Sequence, residues 1–304
     1  MLTSDETDEA ALGGIDPTDV ADAYERRHLF TWSDRRLVAA AAGVLATPKA
    51  APADSFVLHA PLELLARARL LAHVRPGARD AARHRIVALA AAYAAAGESV
   101  KPPESADLPT LDALAEALIA ALGAGELDDV DRYAAALATR ANPTELRRLL
   151  APAVVSSLAA AGHASILFSQ LQRADRAIRG TTALVRGPAR ELARYPDWQL
   201  RWFDAPGEPA APRGLAEALL NVPMLGVPGS DFIFPVMRQA EESGVASRLL
   251  SGVLATGVNL GVAQRQLGRV AALSMLQEPA DHAPYGWSHC LTMPQAVLAV
   301  AVES

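Results

Sequence analysis

The feature that most constrains this chain is its punctuation. Long runs rich in Ala and Leu alternate with Pro or Gly breaks at varying spacing, the pattern of short helices and their turns. Alanine fills 65 of the 304 positions. Ala and Arg are strong helix formers, and the β-branched residues that favour strands are few. The chain is therefore expected to be all-α: a multi-helix bundle of roughly ten to twelve helices, with irregular aromatic-bearing loops in its second half.

The breaks divide the chain. Residues 1–18 read as a mobile acidic tail. Residues 19–97 form an N-terminal helical part, 98–109 a Pro-rich linker, and 110–304 a C-terminal helical part packed with the first as one unit. The first helix is expected near Pro17 with Asp16 as its N-cap. An antiparallel pair follows at 58–74 and 78–96, separated by Arg75-Pro76-Gly77. Further helices are expected at 110–122, 128–140, 144–161 and 163–178. Residues 278–288 read as a loop before a last helix at 293–302, opened by a capping box at Thr292 and Gln295.

Composition excludes several classes. The net charge is -6, with 28 basic against 34 acidic residues, so the basic footprint of a nucleic-acid binder is missing. Cys290 is the single cysteine, which rules out an internal disulfide framework and thiolate zinc clusters. The opening residues show no basic-then-apolar leader, and the most apolar stretch, 245–276, contains Arg248, Arg265 and Arg269. The expectation is a cytoplasmic protein with no membrane partner. Four glycines between 252 and 268, together with the apolar last helix, suit a homo-oligomer interface.

Histidines carry the candidate chemistry. His59 and His163 fall at expected helix starts, and His282 and His289 flank the last loop. A helix N-terminus disfavours imidazolium, and neutral imidazole is the form that binds metals or acts as a general base. His59, His163 and His289 are the expected metal ligands, with His282 as an alternative; His163 and His289 are the expected catalytic pair. The cofactor is then a His-bound transition metal, or there is none. Glu25-x-x-His28 occurs once, whereas a di-iron bundle needs two such motifs. Asp80 and His84, set among arginines, read as surface.

Asp128-Asp129-Val130-Asp131 is similar to the aspartate-rich magnesium motif of terpene synthases. No second metal motif accompanies it near Asn221 or Asn259, and an acidic first helical turn is the simpler reading. Phosphate loops, dinucleotide fingerprints and nucleophile elbows are absent. Aromatic residues gather in the irregular segments: Trp198, Trp202, Phe232, Phe234, Tyr285 and Trp287 are expected to wall a substrate pocket. Cys290 cannot chelate together with adjacent His289, because consecutive side chains diverge, and it reads as a small buried hydrophobe.

Two stretches, AGHASILFSQLQRA at 161–174 and GWSHCLT at 286–292, resemble the questin oxidase-like proteins. Those are helical, histidine-bearing proteins of oxidative tailoring on aromatic polyketides. The resemblance implies functional histidines at His163 and His289. The chain thus reads as a helical oxidoreductase or metal-assisted enzyme acting on a small organic, possibly aromatic, substrate. The alternative is a non-enzymatic helical binding or scaffold protein. Convergence of the histidines in space separates the two.

Overall fold

The computed structural model describes residues 4–157, 159–174, 180–199 and 284–301, with residues 261, 262, 265, 268 and 269 between them. Among these residues the fold is all-α, with eleven α-helices and no strand. They are α1 (Ser4–Gly13), α2 (Val20–Arg26), α3 (Asp34–Ala46), α4 (Ser55–Leu71), α5 (Arg79–Ala95), α6 (Leu111–Ala124), α7 (Leu127–Arg140), α8 (Pro143–Val155), α9 (His163–Ala174), α10 (Arg186–Arg194) and α11 (Pro284–Ala301). No helix among them is long and apolar enough to cross a membrane.

Local chemistry sets the boundaries. Ser33, Asp54 and Thr110 accept the backbone N–H of Arg36, Val57 and Ala113, which starts α3, α4 and α6. Asn142 accepts the N–H groups of Thr144 and Glu145, and the Glu145 carboxylate accepts the Asn142 N–H in return. Pro143 then occupies the first helical position, where its missing N–H costs nothing. Gly125, at φ 72°, ends α6 in the left-handed region, and α7 folds back along it.

Three elements differ from the sequence expectation. The acidic stretch read as a tail carries α1, whose Leu12 is fully buried and whose Asp8 pairs with Arg36 of α3 at 2.7 Å. Asp16 does not cap α2; it accepts the Thr18 N–H at 2.8 Å, and the helix starts at Val20. Residues 284–292, expected mostly as loop, belong to α11. Thr292 therefore lies inside a helix and not at an N-cap, because Pro284 serves as a permissible opening residue.

One apolar core runs from Leu12 to Val300. Its many alanines, such as Ala40, Ala41 and Ala42 of α3 and Ala90 and Ala91 of α5, allow close helix approach. Helix α3 packs on α1, α4 and α5; α7 packs on α6 and α10; α9 packs on α4, α8 and α11. Residues 98–109 are anchored on both sides. Ala50 N–H donates to the Glu98 carbonyl at 2.9 Å, and the Arg140 guanidinium donates to the carbonyls of Leu108 and Pro109.

Two tyrosines are held deep in this core. Tyr24 donates to Asp80 and Tyr93 donates to the Thr47 carbonyl, each at 3.1 Å. Burial, the largest cause for both, pushes their hydroxyls from 10.0 up to about 12. A raised folded value means that the unfolded chain loses these protons first. The stability they contribute is complete below pH 10 and is lost as pH rises from 10 through about 12. An absorbance titration of phenolate is expected to show a delayed fraction in the native chain that disappears in denaturant. Coincident native and denatured curves would contradict this burial.

Candidate functional site: a histidine pair between two helices

Helix α4 begins at Ser55 because Asp54 caps it, which moves His59 from the expected helix start to the second turn. His163 is the first residue of α9. The packing of α4 on α9 brings the two rings together, 104 positions apart in sequence. Their Nε2 atoms are 3.1 Å apart, their ring centres 4.5 Å apart, and their planes stand at 84°. His163 is buried and His59 half-buried.

Backbone carbonyls fix both rings. His59 Nδ1 lies 2.6 Å from the Ser55 carbonyl oxygen one turn back, with Ser55 Oγ at 3.4 Å. His163 Nδ1 bonds the Ala160 carbonyl. A carbonyl can only accept, so the acceptors assign the proton to Nδ1 on both rings. Each Nε2 then turns a lone pair toward the other. In this tautomer two nitrogen acceptors lie 3.1 Å apart, a repulsive pairing. Exchanging the tautomer of one ring only moves the repulsion to its carbonyl.

The turn before α9 serves this geometry. Ala160 stands at φ 52° and Gly162 at φ 76°, both left-handed. For Ala160 that costs about 1–2 kcal/mol, and strain of this kind collects where the surrounding structure needs a particular backbone shape. A Cβ on Gly162 would come within 2.8 Å of Met293 Sδ, so α11 packs directly on this turn. His289 belongs to α11, one helical turn before Met293; its side chain lies outside the described residues.

The other expected site residues fare differently. Trp198 lies on the turn Pro196–Trp198 and packs on Tyr195, with ring centres 4.8 Å apart. Tyr285 and Trp287 lie on the backbone of α11 rather than in a loop, with their side chains outside the described residues. Trp202, Phe232, Phe234 and His282 also lie outside them. Asp80 is exposed, as expected, and accepts the buried Tyr24 hydroxyl, while His84 is half-buried and its ring meets Tyr24 edge-on at 4.0 Å.

The aspartate-rich motif is committed to arginines. Asp128 pairs with Arg190 at 3.1 Å, Asp129 with Arg132 at 2.8 Å and Asp131 with Arg186 at 2.8 Å. It borders a cavity of about 450 Å³ that also meets Glu98, Lys101 and Glu104. Among the described residues no group of three or more His, Cys, Asp or Glu is arranged to hold a metal ion.

The Ser55 and Ala160 carbonyls that hold the two rings do not figure among the expected site groups. Asp54 as N-cap gives a signal for the first, since it places Ser55 one turn before His59. No protein-family model, curated protein or solved structure matches the chain.

Proposed function

We propose that this chain is a cytoplasmic enzyme acting on a small organic substrate at the His59–His163 pair, with oxidoreductase chemistry as its class. The observation that carries the reading is the pair itself: two imidazoles oriented by carbonyls, with their Nε2 atoms 3.1 Å apart. A substrate proton taken up at one Nε2 is shared with the other ring, which stabilises the charge left by general-base action. The oxidative class is supported by the resemblance of 161–174 and 286–292 to questin oxidase-like proteins. Trp198, Tyr285 and Trp287 are the aromatic groups assigned to the substrate, and His289 is assigned to the same site.

The test is oxygen uptake by the full chain over a panel of phenols and fused-ring aromatics. At least one compound is expected to be consumed. His59→Gln, His163→Gln and His289→Ala are each expected to lower that rate by about a hundredfold or more with unchanged circular dichroism, the scale of a general-base contribution. Consumption untouched by all three substitutions, or no turnover across the panel, would overturn the reading in favour of a helical binding protein.

A further inference from the structure

We infer that Ser99 and Lys49 form a second catalytic site, a serine nucleophile with a lysine general base that cleaves small esters by acyl transfer. It uses neither of the helices that carry the histidine pair. Ala50 N–H donates to the Glu98 carbonyl at 2.9 Å and Val100 N–H to the Pro48 carbonyl at 3.0 Å, which sets Lys49 opposite Ser99 in an antiparallel bridge. Directly opposed side chains of such a pair reach each other. Lys49 Nζ lies 3.2 Å from Ser99 Oγ, within the reach of a base and its nucleophile.

Lys49 is buried and Ser99 is exposed, so the base is shielded while the hydroxyl stays open. The amine has two further partners, the carbonyls of Ala94 and Gly97 at 3.2 and 3.3 Å. Carbonyls only accept, so they take two N–H bonds and leave the remaining direction for Ser99. A neutral amine fills this set, with two N–H groups and a lone pair that receives the hydroxyl proton. Burial pushes the Lys49 amine below the ordinary lysine range, which enlarges the share able to act as a base. Arginine could not serve here, since it keeps its proton. Of the 28 basic residues only two are lysines; Lys49 bonds Ser99, and Lys101 lines the same cavity as Ser99.

That cavity, of about 450 Å³, is also walled by Glu98, Glu104, Asp128 and Arg132. Its size suits a small organic molecule. Lys101 and Arg132 supply positive charge for an oxyanion, and the three carboxylates favour an ester that carries a cationic group. Ser99 Oγ bonds the ester carbonyl carbon as its proton passes to Lys49 Nζ. The bond from that carbon to the leaving alcohol then breaks, and the alcohol takes the proton from Lys49. Water next attacks the acyl carbon and gives a proton to Lys49; Ser99 Oγ leaves and takes that proton back, releasing the acid.

The experiment treats the full chain with p-nitrophenyl p-guanidinobenzoate, a cationic ester that releases coloured nitrophenolate and leaves a slowly hydrolysed acyl group. A burst of about one nitrophenolate per chain is expected, with the acyl group on Ser99 by peptide mass spectrometry. Ser99→Ala, at an exposed position, should abolish the burst. Lys49→Met, checked by circular dichroism, should slow it by about a hundredfold or more, the scale of a general base. The acyl position is read on the wild-type chain and depends on no variant. No burst, an acyl group on another residue, or a full burst from Ser99→Ala would overturn the site. A folded Lys49→Met chain that reacts at the wild-type rate would overturn the dyad, and an equal burst rate with uncharged p-nitrophenyl benzoate would overturn the cationic substrate.

Discussion

Asp131→Ala is expected to destabilise the chain by about 3–5 kcal/mol, the cost of breaking a buried ion pair by removing one partner. Asp131 is 3% exposed and faces Arg186, itself 14% exposed, at the opening of α10. The guanidinium makes two parallel bonds, Nε to Oδ1 at 2.8 Å and Nη2 to Oδ2 at 2.9 Å. Deleting the carboxylate leaves a fixed charge with little water around it, since arginine cannot shed its proton. Asp131→Asn keeps part of the hydrogen bonding and is expected to lose about half as much. Replacing both partners by Leu and Met removes the stranded charge and should return to within about 2 kcal/mol of wild type. Urea denaturation checks all three. A loss under about 1 kcal/mol for Asp131→Ala would show that Arg186 finds another partner without cost.

Gly162→Ala is expected to cost about 2–3 kcal/mol, from two sources. The left-handed backbone at φ 76° penalises any Cβ by about 1–2 kcal/mol. The new methyl also meets Met293, whose Sδ would lie at 2.8 Å and whose Cγ and Cε would lie at 3.0 Å. Three atoms of one side chain crowd the same point, so a single rotation about its end does not clear them. Met293→Ala in the Gly162→Ala background should recover about 1 kcal/mol by removing the overlap, while the backbone strain stays. Denaturation of the two variants separates these contributions. A Gly162→Ala loss under about 0.5 kcal/mol would contradict both the turn and the seat of α11 on it.

Much of the helical skeleton is legible in the sequence because its ends are chemically marked. Thr110, Gly125 and the Asn142-Pro143 pair fall where α6, α7 and α8 begin or end. Helix α1 was not legible, since its carboxylates disguise one turn of apolar contact through Leu12. The start of α11 was hidden by Pro284, Gly286 and neighbouring aromatics, which read locally as turn formers; packing on α8 and α9 overrides that preference. Half of the site showed in advance, as histidines near helix starts. Their meeting did not, because it depends on how α4 crosses α9 and that is decided by side-chain packing. The carbonyl of Ala160 was further out of reach, as nothing in an alanine announces φ 52°.

The central claim is that His59 and His163 work as one unit, and imidazole nitrogen resonances of the metal-free, ¹⁵N-histidine-labelled chain test it most directly. With seven histidines in the chain, both signals can be assigned by single substitution. The account predicts an N–H at Nδ1 on both rings, and a shift of the His163 Nε2 resonance when His59 is replaced by Gln. An N–H at Nε2 on both rings, or a His163 resonance indifferent to the loss of His59, would contradict it.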